Sequence, residues 1–196
     1  MEVTVRRNPA RRTALLDAAI EVLAREGSRG LTLRAIDAEA GVPTGTATNY
    51  FANRADLLTQ VMHRTRERLT PDPRALAETM RQAPTHALVT ELMRQLLGRM
   101  RADRTGYLAM LELRLEATRR PELHSELGGF LTAEHEEVVR FHLDAGLPGD
   151  ATGVGLLYFA MAGLLLDDFT VPAITEPYDT GALIETMVDR LLPEAR

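Results

Sequence analysis

A chain of 196 residues with 28 acidic groups against 23 basic ones, every basic residue an arginine, carries a formal charge of −5 and no cysteine. The length allows one large domain or two small ones with an ample core, and the missing cysteines exclude disulfides and thiolate metal sites, as in a reducing cytoplasm, the expected location. No N-terminal apolar run resembles a signal peptide, and the longest apolar run, Val154 to Leu166, is thirteen residues, short for a bilayer span, so no membrane partner is expected.

In chain order, residues 1–8 hold Arg6 and Arg7 without an apolar pattern and read as a flexible arm. Asn8 before Pro9 fits a helix cap with proline at the first helical position. That helix runs to Glu26, turns Leu15, Leu16, Ala19, Val22 and Leu23 inward, and stops at Gly27. Arg6, Arg7, Arg11 and Arg12 have two readings, phosphate contacts or a solvated arm. Thr32 caps a short helix with Leu33, Ile36 and Ala40 at helical spacing, and Gly41 ends it. Val42 and Pro43 lead into a second short helix over Thr44 to Phe51. Asn53 then caps a longer helix ending at Pro71 and Pro73, and the three prolines of residues 71–85 break the chain around one short turn at Ala75 to Met80.

Thr85 to Met100 is amphipathic, and Asp103 caps the next helix, which closes at Arg119-Arg120-Pro121. Further helices follow over Leu123 to Leu143, with a kink candidate at Gly128-Gly129, and over about Ala151 to Asp168 and Thr180 to Leu192. No stretch alternates with a period of two, and the fold class is all-α: a three-helix head with a helix-turn-helix and a larger helical body. Charge divides along the chain. Residues 1–70 hold 11 Arg and 8 acidic groups, net +3, whereas residues 71–196 hold 12 Arg and 20 acidic groups, net −8. A basic head on an acidic body keeps a polyanion at one end.

The stretch Leu31 to Leu58 carries the chemistry. Its second helix is lined by Thr44, Gly45, Thr46, Thr48, Asn49 and Tyr50, none a strong helix former. Hydroxyls, an amide and a phenol on one short element suit phosphates and base edges better than stability. Ala40-Gly41-Val42, Gly45-Thr46, Tyr50-Phe51 and Arg54 before Asp56-Leu57-Leu58 resemble the DNA-binding signature of TetR-type transcriptional repressors over about residues 11–62. Two departures stand out: Thr48 occupies a place where many relatives carry a phosphate-contacting tyrosine, and Arg54 replaces the commoner lysine. The groove-facing candidates are Thr44, Gly45, Thr46, Thr48, Asn49 and Tyr50; the phosphate candidates are Thr32, Arg34 and Arg54.

The letters argue against an enzyme. No histidine follows a glutamate by three, which a di-iron bundle would need, and His135-Glu136 lacks the second histidine of a zinc protease motif. Neither Ser28 nor Ser125 sits in a nucleophile elbow. Glu112 and Glu116, a turn apart near Arg114 and Arg119, read as a salt-bridged face. No catalytic residue, metal or cofactor is expected.

The resemblance implies a small-molecule cavity among the body helices, whose occupation spreads two heads. Met62, Met93, Met100, Tyr107, Met110, Tyr158 and Met161 are adaptable lining for it or ordinary core, and Arg114 is the candidate anionic or carbonyl contact or else an exposed salt bridge. It also implies pairing of the last two helices into a four-helix bundle, for which Gly153, Ala160 and Gly163 allow close approach and Leu183, Ile184, Met187 and Leu191 supply an apolar face; in a monomer the same faces are core. Two heads about one helical turn apart would read a palindrome. The expectation is a homodimeric, effector-responsive repressor on double-stranded DNA, with residues 1–54 binding DNA and 55–196 sensing and dimerising. The alternative is a helical sensor or interaction protein that no longer binds DNA.

Overall fold

The protein, described here as a computed structural model over residues 8–193, is helical throughout, with no strand among the described residues. Arg6 and Arg7 lie outside the described residues. The chain forms two compact units, residues 8–70 with 103–129 and residues 71–102 with 130–193.

The first unit opens with α1 (Pro9–Gly30). The Asn8 carboxamide accepts from the Ala10 and Arg11 N–H groups, which no helical carbonyl can reach. Gly27 breaks the helix from within at φ +68°, a region that glycine enters without a Cβ penalty. Thr32 caps α2 (Leu33–Glu39) through a bond from the Ala35 N–H at 3.1 Å, and Gly41 ends it at φ +62°. Asn53 caps α3 (Arg54–Leu69) from the Asp56 N–H at 2.9 Å. The expected helix over Thr44 to Phe51 shrinks to a 3₁₀ turn, Ala47–Asn49. Three β-branched threonines and a glycine propagate a helix poorly, and the Thr46 hydroxyl spends its proton on the Pro43 carbonyl at 2.5 Å.

The core of this unit is one continuous set. Leu15, Ala19, Ile20 and Leu23 of α1 pack with Leu58 and Val61 of α3 and with Ala109 and Leu113 of α6 (Arg104–Ala117), all fully buried. Each large aliphatic side chain so removed from water is worth about 1.5–3 kcal/mol. Around the core, Arg64 grips Asp17 with two bonds at 2.8 and 3.0 Å. Arg68 reaches Asp103 at 2.5 and 2.8 Å, Glu21 at 3.3 Å and Thr105 at 3.2 Å. Asp103 also caps α6 from the Gly106 N–H at 3.0 Å, so one carboxylate serves a helix end and an ion pair.

The second unit holds α4 (Pro73–Thr79), α5 (His86–Ala102), α8 (Ala151–Thr170) and α9 (Thr180–Leu191). The long α7 (Pro121–Asp144) passes from one unit into the other, helical through Gly128-Gly129. Its core joins Leu88 and Val89 of α5, Leu157 and Met161 of α8, and Ile184, Val188 and Leu192 around α9. At twenty residues α8 outruns the thirteen-residue apolar run and, by length and composition, is long and apolar enough to cross a membrane. Seven of its residues, among them Val154, Leu164 and Phe169, are buried.

His142 near the end of α7 is 7% exposed, its Nε2 lying 2.7 Å from the Pro148 carbonyl. Burial lowers its pKa from the ordinary 6.5, and the Pro148 contact offsets this only in part. The unfolded chain therefore takes up this proton first as pH falls. The contribution is fully present above about pH 6.5 and is lost as pH drops through the folded value. His142→Gln should accordingly flatten the acid side of a melting-temperature profile below that point; equally steep profiles would remove His142 from the titration.

Candidate nucleic-acid interface

The element between α2 and α3 is held from below by a carboxylate. Asp37, on α2, is 1% exposed and accepts the backbone N–H of Gly45 at 2.6 Å and of Ala47 at 2.7 Å. Its own carbonyl takes the Val42 N–H at 3.0 Å. Each carboxylate oxygen accepts one backbone N–H, which offsets the cost of burying it and ties both ends of the turn to the helix before it. Ala47, Tyr50 and Phe51 are buried beneath the turn.

What remains outside is short and polar. Thr44, Gly45, Thr48 and Asn49 are exposed, and Thr46 is half-buried. The Thr44 and Thr48 hydroxyls have no partner among the described residues, whereas Asn49 donates its amide to the Gly45 carbonyl at 3.3 Å and keeps its oxygen free. Thr32 is exposed; its oxygen accepts at the cap while its hydroxyl proton stays available. Arg34 is exposed with no ion-pair partner among the described residues, as are Arg11 and Arg29, while Arg12 is turned onto Gln60 at 2.9 Å. The turn thus brings Thr44, Thr48 and Asn49 together at the surface of a unit with several free cations.

Two residues expected at the DNA face are occupied elsewhere. Tyr50 is 8% exposed, its ring inside the head, because the 3₁₀ turn rotates position 50 inward from where a full α-helix would place it. Arg54 donates to the carbonyls of Leu31 and Ser28 and to the Ser28 hydroxyl, stapling the start of α3 to the end of α1. Glu116 of α6 is buried beside this staple, and bonds from Arg120 hold its carboxyl below the ordinary carboxylate range against the burial that would raise it. Asp37 is the residue missed from the sequence. An acid in the middle of an amphipathic heptapeptide looks solvated until the following turn folds back over it.

The eight candidate ligand residues divide between the units. Met62, Tyr107, Met110 and Arg114 belong to the first, where Met62 is core and Arg114 is exposed; Met93, Met100, Tyr158 and Met161 belong to the second, where Met100 and Met161 are core. Neither of two open surface clefts involves them. One, of about 450 Å³ in the first unit, is lined by Asp56, Thr59, Arg119 and Glu126 among others, and one, of about 410 Å³ in the second, by Arg140 and Phe141.

Of the pairing candidates, Gly153 and Ile184 face inward. A Cβ on Gly153 would collide with the Leu191 carbonyl, and Ile184 is fully buried, so both belong to the contact between α8 and α9 of one chain. Leu183, Met187, Leu191 and Ala160 are half-buried, and Gly163 is exposed with open space above it. Gly163 shares one face of α8 with Leu156, Phe159 and Leu166, which are 50%, 66% and 46% exposed. The signal for that stripe was legible: a helix apolar on every side needs apolar neighbours on every side.

Comparison with known proteins agrees with this architecture. Residues 15–61 match the family of bacterial regulatory proteins of the tetR family, and residues 84–194 match the tetracyclin repressor-like C-terminal domain. A TetR-family member from Streptomyces coelicolor A3 (SCO1917) is 32% identical with a TM-score of 0.69, the match covering 94% of this chain and 99% of that one. The multidrug binding protein EbrR, in complex with imidazole, is 32% identical with a TM-score of 0.67, covering 96% and 98%. EbrR has also been solved with ethidium, malachite green and proflavin. No curated protein matches the chain. A polar turn caged by a buried acid, a helical body and two family models that together span most of the sequence lead to one assignment: the chain belongs to the TetR family of transcriptional regulators.

Proposed function

We propose that this regulator is a homodimeric repressor, that it binds a palindromic double-stranded operator through residues 1–54, and that a small molecule taken up by residues 55–196 releases it. The observation that carries the reading is the exposed Thr44, Thr48 and Asn49 cluster on a turn fixed by Asp37. Threonine and asparagine at that place read base edges, while Thr32 and Arg34 reach phosphates. The short reach of Thr48 shifts phosphate grip toward arginines, so operator affinity should fall steeply with salt. Pairing is supported by the α8 stripe of Leu156, Phe159, Gly163 and Leu166, flanked by Ala160; Leu183, Met187 and Leu191 of α9 extend it. The proposed mechanism is a population shift, in which an effector binds best to the arrangement of the body that misplaces the two heads for one operator.

Selection of bound fragments from a random DNA pool, at two salt concentrations, tests this directly. A palindrome with affinity falling about tenfold or more between them is the expected product. Proflavin and ethidium, bound by the 32%-identical EbrR, are then the first compounds to try for release of the selected operator. Absence of any enriched sequence would favour a body that senses or interacts without DNA.

A further inference from the structure

In the first unit, α1 and α3 face each other across a ladder of side chains. Arg64 meets Asp17 at 2.8 Å and Arg68 meets Glu21 at 3.3 Å, each pair a cation on α3 and an acid on α1. The next rung toward the N-termini breaks that rule. There Arg12 of α1 donates its Nε to the side-chain oxygen of Gln60 on α3 at 2.9 Å. The numbers rise together along the two helices, so the helices run parallel and both N-termini lie at one end of the head. The turn Ala47–Asn49 leads directly into α3 and opens at that same end.

The odd rung is held from behind. Gln60 donates its amide to Asp56 Oδ1 at 2.7 Å, and Asp56 Oδ2 accepts the Ala52 N–H at 2.8 Å. A carboxylate only accepts, so the amide must give Asp56 its NH2 and turn its oxygen to Arg12. A relay of three hydrogen bonds thus runs from the backbone just beyond Thr44, Thr48 and Asn49 to one guanidinium. Arg12 is exposed, and its two Nη groups have no partner among the described residues. The Nε bond fixes the plane of the fork, and the edge left open is one that grips a phosphate with two bonds. The neutrality of the amide matters. A carboxylate at that place would close the rung as an ion pair, like the other two, and cancel the charge; Gln60 sets the direction and leaves the cation whole.

We propose that Gln60 is a positioning residue for operator binding, acting through Arg12 by presenting the guanidinium to a DNA phosphate. Of the two readings of Arg12, phosphate contact or solvated arm, this selects the first. The contact lies on the sugar-phosphate backbone and carries no base preference, unlike the turn that Asp37 holds. This inference rests on the DNA-binding reading above and adds to it one preset phosphate contact per head.

A double-mutant cycle in the full-length protein tests it, read by anisotropy on the selected operator and on a scrambled duplex across a salt series. Arg12→Ala should weaken both duplexes by the same factor and make the salt dependence shallower by about two for two heads, at about 0.9 per phosphate. Gln60→Ala should weaken both duplexes about tenfold, because the DNA must then order two guanidinium groups itself. In the Arg12→Ala background, the same Gln60→Ala change should cost nothing. A Gln60 that only supported the fold would weaken binding equally in both backgrounds, and that result overturns the proposal. So does an unchanged salt slope in Arg12→Ala, or a loss confined to the operator, which would route the relay through the turn instead. If Gln60→Ala unfolds the protein, Gln60→Met, of like length and without the acceptor oxygen, takes its place in the cycle. Failure of the unmodified protein to bind either duplex removes the DNA reading and this inference together; binding with additive losses removes the inference alone.

Discussion

Asp37→Asn is expected to erase the preference for operator over scrambled DNA while the protein stays helical. The carboxylate serves two buried backbone donors, the Gly45 N–H at 2.6 Å and the Ala47 N–H at 2.7 Å. An amide of the same shape has one acceptor oxygen, so one N–H loses its partner and faces a second donor. Losing a charge-assisted bond of this kind and stranding its partner costs about 2–3 kcal/mol. If that cost falls on the order of the turn, specific binding weakens by up to about 100-fold, since each 1.4 kcal/mol is tenfold. An opposing effect must be weighed, because removing a negative charge near DNA strengthens attraction to every phosphate. That gain applies equally to all sequences. The ratio of specific to non-specific affinity is therefore the quantity to measure, by anisotropy on operator and scrambled duplexes at fixed salt. A ratio unchanged from the unmodified protein would mean that the turn keeps its shape without Asp37.

Arg68→Ala should be the most destabilising surface-proximal change in the first unit, at about 2–3 kcal/mol, below the 3–5 kcal/mol of a fully buried pair because both partners retain about a fifth of their exposure. The guanidinium joins α1 through Glu21, and α6 through Asp103 and Thr105, to its own helix α3. Without it, Asp103 keeps its capping bond and a 3.4 Å bond from the Thr105 hydroxyl, and it faces Glu21 without the cation that served them both. Acid should narrow the difference. Burial raises the Asp103 carboxyl, but Arg68 and the Gly106 N–H together outweigh it and leave the folded-state value below the ordinary 3.8. That stabilisation is present above about pH 3.8 and vanishes as pH falls through the folded value, so the two proteins should converge there. Thermal unfolding at pH 7, 5, 4 and 3 gives the answer; a constant gap would assign the loss to packing of the Arg68 stem alone.

Local chemistry was easy to read in the sequence. Asn8, Thr32, Asn53 and Asp103 each cap the helix that follows them, because a cap needs only the next three residues to do its work. The apolar spacing likewise located eight of the nine α-helices among the described residues; α4, expected only as one short turn at Ala75 to Met80, is a helix from Pro73, and the turn before α3 stayed shorter than its pattern suggested. Residues whose partners are distant were opaque. Arg54 looked like a phosphate hook until the carbonyls of Ser28 and Leu31, more than twenty positions earlier, came within its reach. Tyr50 looked outward because its phenol was read with the polar residues of an expected α-helix, whereas the stretch forms a 3₁₀ turn with the ring buried beneath it.

The bare face of α8 carries a consequence for the protein's life in the cell. Leu156, Phe159 and Leu166 stand in a row with about half or more of their surface in water. If the proposed dimer covers this face, a protomer without its partner is adhesive and a target for chaperones and proteases. Under that reading, the fraction of protected chain rises with the concentration of protomers.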